Sequence, residues 1–215
     1  MARRMRDQLF RAEQWEHRYD RHIFPINQYV DELRKESGCD SVPYVAPIYG
    51  GVNSKLLSLM RDPGPKTQDN SGGSGFICME NDDQTAESYC GYCEYASISA
   101  ECMVPWNSYP WYINQKPSML QLEKGITPLK RIVDLLPDLR VVMLHGVSAK
   151  ESWKRLLYRF PMLEKERGLV VIKTYHTSRQ AFWHKDPLVR ESRKKQLLES
   201  FITAKKYLMD QDLSN

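Results

Sequence analysis

Four short apolar runs divide the chain, at residues 55–60 (KLLSLM), about 101–106 (ECMVPW), 140–144 (RVVML) and 169–175 (LVVIKTY). Each has strand length and is closed by polar or turn-forming residues, so all four are expected as buried strands. Helical spacing occupies the intervals, at residues 85–97 with Thr85 as the expected cap, 127–136, 149–158 and 188–209. Upstream, residues 5–36 carry two helical patterns broken near Phe24 and Pro25, the second (INQYVDELRKE) amphipathic. Pro43, Pro47, Gly50 and Gly51 mark a loop, and residues 68–75 (QDNSGGSG) have the polar, glycine-rich composition of a mobile one. Strands alternating with helices predict the α/β class, as a three-layer α/β/α domain about a central four-stranded parallel sheet. One domain is expected over residues 45–215, with residues 1–44 as a helical lead-in packed on it. No internal repeat is visible.

The strand ends carry the chemistry. Asp62 follows the first run, Asn107 the second, His145-Gly146 the third, and His176 opens the polar stretch HTSRQAF after the fourth. In open α/β sheets the carboxyl edge of the strands is where ligands bind. Each residue alone has a structural explanation: Asp before Pro-Gly makes a turn, Asn caps one, and a lone His is commonly a hydrogen-bonded structural group. A carboxylate, an amide and an imidazole on one edge shift the weight toward a site.

Composition narrows the classes. A chain of 215 residues supports one domain with a full core. With 41% hydrophobic and 27% charged residues it is globular rather than disordered. A net charge of +4 suits a nucleic-acid partner without requiring one. No run approaches the roughly 18 apolar residues of a membrane span, and the basic start MARRMRDQLF leads into a polar segment without a signal-peptide core. A soluble, cytoplasmic protein with no membrane partner is therefore expected. Five cysteines, an odd number, argue against a closed disulfide framework. Cys90 and Cys93 form a C-x-x-C flanked by Cys78 and Cys102, which invites a zinc or iron–sulfur reading. On a helix, however, residues three apart simply share a face, and no second ligand pair stands at zinc-finger spacing. Buried free thiols are expected.

In order and spacing, these motifs resemble the uracil-DNA glycosylase superfamily over roughly residues 45–200. The first motif of that superfamily reads GQDPY in one branch and GEAPG or GINPG in others. Here it is Met60-Arg61-Asp62-Pro63-Gly64, followed by Pro65-Lys66. The last motif, HPSPL or HPSQQ elsewhere, is His176-Thr177-Ser178-Arg179-Gln180. Trp106-Asn107 resembles the strand-end asparagine that hydrogen-bonds the base, and Gly75-Phe76 the segment whose ring stacks on it. The strings DPGPK, GSGF…TAE, WN…PWY and HTSRQ are similar to those of a bacterial branch. Two departures stand out. Thr177 replaces the usual proline, which puts the rigidity of the last loop in question, and the cysteine spacing does not match the iron–sulfur branches, so no cluster is implied.

The resemblance implies a monomeric, monofunctional DNA glycosylase that flips a uracil or related modified pyrimidine out of DNA and hydrolyses its N-glycosidic bond. Such a reaction passes through a sugar with oxocarbenium-like charge on an extruded nucleotide. Asp62 would face the sugar and orient water, a neutral His176 would donate to the departing base, and Asn107 would read the base edge. No lysine at the motif positions suggests a Schiff base, and no metal or organic cofactor is implied. Gln180 takes the place of the residue that enters the duplex, with Arg179 beside it, while Lys66, Ser178 and the basic final helix are candidate phosphate contacts. A solvated basic face is the plainer reading of that helix. Gly64 stands where the GQDPY tyrosine excludes thymine, so a pocket open to 5-substituted (phage-type) pyrimidines is expected. Two other classes compete. A non-catalytic module gripping single strands or abasic sites would stack bases on Tyr109, Trp111 and Tyr112. A nucleotide-binding domain is disfavoured because GGSG lacks phosphate-loop spacing and its Lys-Ser/Thr.

Overall fold

The computed structural model describes residues 2–69 and 72–209. Two helices, α1 (Gln8–Glu16) and α2 (Phe24–Ser37), precede the short strand β1 (Tyr44–Val45). Pro25 does not break a helix here. It sits in the first turn of α2, where its missing N–H costs nothing. Ile26, Val30 and Leu33 form the buried stripe of α2, and Asn27 clamps β1 by accepting from Val45 N at 2.9 Å and donating to Val45 O at 3.0 Å.

The sheet follows. Strand β2 (Leu56–Met60) leads through a turn to β3 (Phe76–Ile77), α3 (Gln84–Tyr95) and β4 (Met103–Asn107). Helices α4 (Met119–Lys124) and α5 (Ile126–Asp134) connect to β5 (Val141–His145), and α6 (Gly146–Arg159) and α7 (Leu163–Glu166) to β6 (Val170–Thr174). The short α8 (Arg179–Phe182) and the long α9 (Pro187–Met209) complete the described chain. All four long strands are parallel, in the order β4-β2-β5-β6. The fold is thus α/β, a four-stranded parallel sheet flanked by helices, the arrangement of a three-layer α/β/α domain. Strands β4 and β5 are buried at every residue, the signature of a sheet covered on both faces. Pro105 is tolerated within β4 because that strand lies at the sheet edge and needs no outer ladder donor.

Helix α6 packs on β2 and β5, while α9 packs on β5 and β6 and also contacts α3. Leu197, Phe201, Ala204 and Leu208 form the buried stripe of α9, so its Lys and Arg residues occupy the remaining faces.

Several details differ from expectation. The cap of α3 is Asp83, whose carboxylate accepts from Ala86 N at 2.9 Å, rather than Thr85. A second, two-stranded parallel sheet pairs Tyr44 with Phe76 and Val45 with Ile77. The described flanks of the glycine-rich stretch are packed rather than mobile: Gln68 and Ser74 are buried, and Ser74 Oγ donates to Asn81 Oδ1 at 2.6 Å. Residues 70 and 71 lie outside the described chain. The N-terminal segment is bound to the sheet side through Met5 N, which donates to Glu80 O at 3.0 Å, and through Trp15, whose ring lies 4.9 Å from that of Phe76.

Candidate active site

Parallel strands place all their carboxyl ends on one edge, and here that edge opens into a cleft of about 770 Å³. The sheet order reverses at β2, which sends the chain out to β4 and back to β5, so the cleft lies at a topological switch point. Asp62, Gly64, Asn107, His176, Ser178 and Gln180 all line it.

Asp62 lies two residues past β2, with its side chain 1% exposed. One carboxylate oxygen accepts from Arg61 Nε, while Oδ2 is buried without a hydrogen-bond partner among the described residues. Burial raises the carboxyl pKa above its ordinary value, and the hydrogen bond and charge of Arg61 oppose that rise. Asn107 closes β4 opposite Met60 and is 3% exposed. It lines the cleft, and its amide has a donor and an acceptor to offer a ligand.

His176 is partly buried, two residues past β6. Its Nδ1 lies 3.1 Å from Ser178 N, a backbone donor, so Nδ1 accepts and the ring proton resides on Nε2. Burial first, then the charge of Arg61, holds its pKa down to about 4. The ring is therefore neutral at ordinary pH and carries a free N–H. Gly146, at φ +85°, brings the end of β5 beside this ring, because a Cβ there would lie 3.4 Å from His176 Cβ. Thr177, the residue in place of proline, is 2% exposed and donates to Thr85 O at 3.3 Å, which ties the last loop to α3.

The remaining candidates divide. Gly64 is open: a Cβ built on it meets nothing within 4 Å. Phe76 does not reach the cleft. It is fully buried against Trp15 and Tyr44, and its strand neighbour Ile77 lines the cleft instead, because successive strand residues face opposite sides. The expected stacking ring is thus a core residue. Lys66 is exposed and lines a separate hollow of about 230 Å³ with Arg6, Arg11 and Ser74. Arg179 is exposed on α8, outside the cleft lining.

Three cleft residues have no role assigned to them from the sequence. Arg61 binds Asp62 and depresses the pKa of His176. Arg193 of α9 lines the cleft and donates to Ala181 O at 3.2 Å and Trp183 O at 3.0 Å, fixing the α8 loop. His145 is 1% exposed at the end of β5, and a histidine closing an apolar run was the available signal for it.

Of the cysteines, only Cys78 lines the cleft. All five are free; Cys78, Cys90 and Cys93 are buried, and burial pushes Cys78 up to about 12 and Cys90 up to about 11. Such thiols are protonated and inert at neutral pH. Among the described residues no three His, Cys, Asp or Glu side chains are grouped to hold a metal ion, and no helix is long and apolar enough to cross a membrane.

No family model matches this sequence, and no curated protein shows significant similarity to it.

Proposed function

We propose that this protein is a monofunctional DNA glycosylase of the uracil-DNA glycosylase kind, which hydrolyses the N-glycosidic bond of a flipped-out uracil or related pyrimidine and leaves an abasic site. The observation that carries this reading is the convergence of Asp62, Asn107 and His176, from three strand ends, on one cleft. The neutral imidazole of His176 suits the reaction. As the C1′–N bond breaks, the base departs with the electron pair and gathers negative charge, which a neutral imidazole with a free Nε2–H stabilises. The sugar gathers positive charge, which the Asp62 carboxylate opposes. Water then adds to C1′, and its proton passes to the Asp62 carboxylate. Asn107 presents the amide that reads the base edge. The partner is DNA, with the exposed Lys66 and Arg179 as the phosphate contacts.

The test is incubation of the protein with duplex and single-stranded oligonucleotides carrying a panel of modified bases, scored as alkali-labile abasic sites. Site formation at uracil or a 5-substituted pyrimidine supports the reading. Retention of every base across the panel refutes it.

A further inference from the structure

Where the N-terminal segment packs beside the loop that follows Asp62, cations outnumber carboxylates. Arg3 binds Glu87 at 2.7 Å and Asp82 at 3.3 Å, Arg4 binds Glu80 at 3.0 Å, and Arg6 binds Asp82 at 2.6 Å. These arginines occupy Glu80, Asp82 and Glu87. Arg11 of α1 and Lys66 are left over, and among the described residues neither forms an ion pair. Arg6, Arg11 and Lys66 line one hollow of about 230 Å³, whose lining includes a single carboxylate, the already bound Asp82.

Unmatched cations on a convex face are simply hydrated. Here they share a concavity with a structured floor. Gly73 N donates to Gln68 O and Ser74 N to Lys66 O, each at 2.9 Å. A Cβ on Gly73 would lie 2.6 Å from Lys66 O, so only glycine lets the loop close this tightly around Lys66. On the opposite wall Asp7 caps α1 by accepting from Leu9 N at 2.8 Å, which fixes the helix that carries Arg11. Like charges gathered in so small a space repel one another until an anion enters. The volume is below the roughly 300–1,000 Å³ of pockets for organic ligands, and so suits a small anionic group. The hollow also adjoins the cleft. Asn81, 2% exposed, lines both, and Pro65 and Thr67 on either side of Lys66 line the cleft.

We propose that this hollow is a phosphate subsite, in which Arg11 and Lys66, with Arg6 beside them, grip one backbone phosphate of the DNA strand whose target nucleotide occupies the cleft. The identity of the anion as a DNA phosphate rests on the glycosylase reading. The subsite makes the N-terminal helices part of the nucleic-acid interface, where packing alone would leave Arg11 without a role.

The experiment is fluorescence-anisotropy titration of a duplex carrying one 2′-fluoro-2′-deoxyuridine, whose fluorine disfavours the sugar cation and so keeps the base in place. Wild type and the double variant Arg11→Ala/Lys66→Ala are compared between 50 and 200 mM salt. Each neutralised phosphate contributes about 0.9 to the slope of log affinity on log salt, so the variant is expected to lose about 0.9 from that slope. A loss of about 1.8 would mean two separate phosphates and no shared hollow, and an unchanged slope would mean no phosphate at all; either overturns the proposal. A second measurement uses the native protein and replaces one phosphate at a time by an uncharged methylphosphonate. Wild type is expected to lose about 10-fold in affinity at one linkage near the target, and the variant to lose nothing further there. Equal losses in both proteins at every linkage overturn the subsite. Base release separates this outcome from the reaction. Bases released with an unchanged slope sink the subsite alone, whereas the expected slope change with no base released from any lesion sinks the glycosylase reading and leaves the subsite standing.

Discussion

Replacing His145 by phenylalanine should change how the protein responds to acid. The unfolded chain takes up a proton on this residue near 6.5, whereas burial and the nearby charge of His176 hold it down to about 3 in the folded protein. Between those values the unfolded state binds the extra proton, so folding stability falls as pH falls and is fully retained only above 6.5. At about 1.4 kcal/mol per pH unit, the complete loss is about 5 kcal/mol, and about 3 kcal/mol of it has accrued by pH 4.5. That is a large share of the roughly 5–15 kcal/mol that holds a domain folded. Phenylalanine preserves the ring contacts with Tyr89 and Phe201 and has no proton to gain. The measurement is urea unfolding at constant ionic strength from pH 7.5 to 4.5, for wild type and His145→Phe. The two stability curves should diverge toward acid, with the variant losing about 3 kcal/mol less. Curves that stay parallel would refute the reasoning, because they would mean that His145 titrates normally in the fold and is hydrated.

Three further outcomes follow from the cleft. Asp62→Asn and His176→Ala should each slow single-turnover base release about 100- to 1,000-fold, while gel-shift affinity at fixed salt persists because phosphate contacts dominate it; wild-type rates in both would make these residues structural. Gly64→Tyr should fold normally, since its Cβ site is empty and its φ is −82°, and should suppress activity on 5-substituted pyrimidines more than on uracil; a wild type that already rejects all 5-substituted bases would dismiss the open gate. Replacing Arg179 and Gln180 together by alanine should weaken action on duplex more than on single strands, because only duplex carries the unstacking cost of a few kcal/mol; equal losses would take the α8 loop out of base flipping.

What could be read from the chain, and what could not, divides along physical lines. The long strands were legible because parallel strands covered on both faces become apolar runs, and their ends fell together because such strands share one carboxyl edge. Boundaries slipped where local capping decides them. The second strand starts at Met103 because residues Ala100–Cys102 form a short 3-10 turn, with Ser99 Oγ accepting from Glu101 N. Helix α3 starts earlier than Thr85 because Asp83 is the stronger acceptor for its first turn. Phe76 escaped because a two-residue strand has too little pattern to reveal its face; Trp15, distant in sequence, decides it. His145 escaped for the opposite reason. A histidine ending an apolar run looks structural, and only burial without a partner distinguishes it.

The least legible element was the coupling between the parts. Asp62 and His176 are far apart in sequence, and residue types alone say nothing of their charges. A buried carboxyl drifts toward the neutral acid, and a partly exposed imidazole titrates near neutrality. Arg61 acts on both. Its hydrogen bond and charge oppose the desolvation of Asp62 and so favour the carboxylate, while the same charge adds to burial in keeping His176 unprotonated. At both groups burial is the larger influence, and Arg61 acts in the direction that the proposed cleavage requires, toward a carboxylate facing the sugar and a neutral ring facing the base. Its place beside the motif aspartate is visible in the sequence, but its reach to the end of β6 depends on β2 and β6 lying in one sheet.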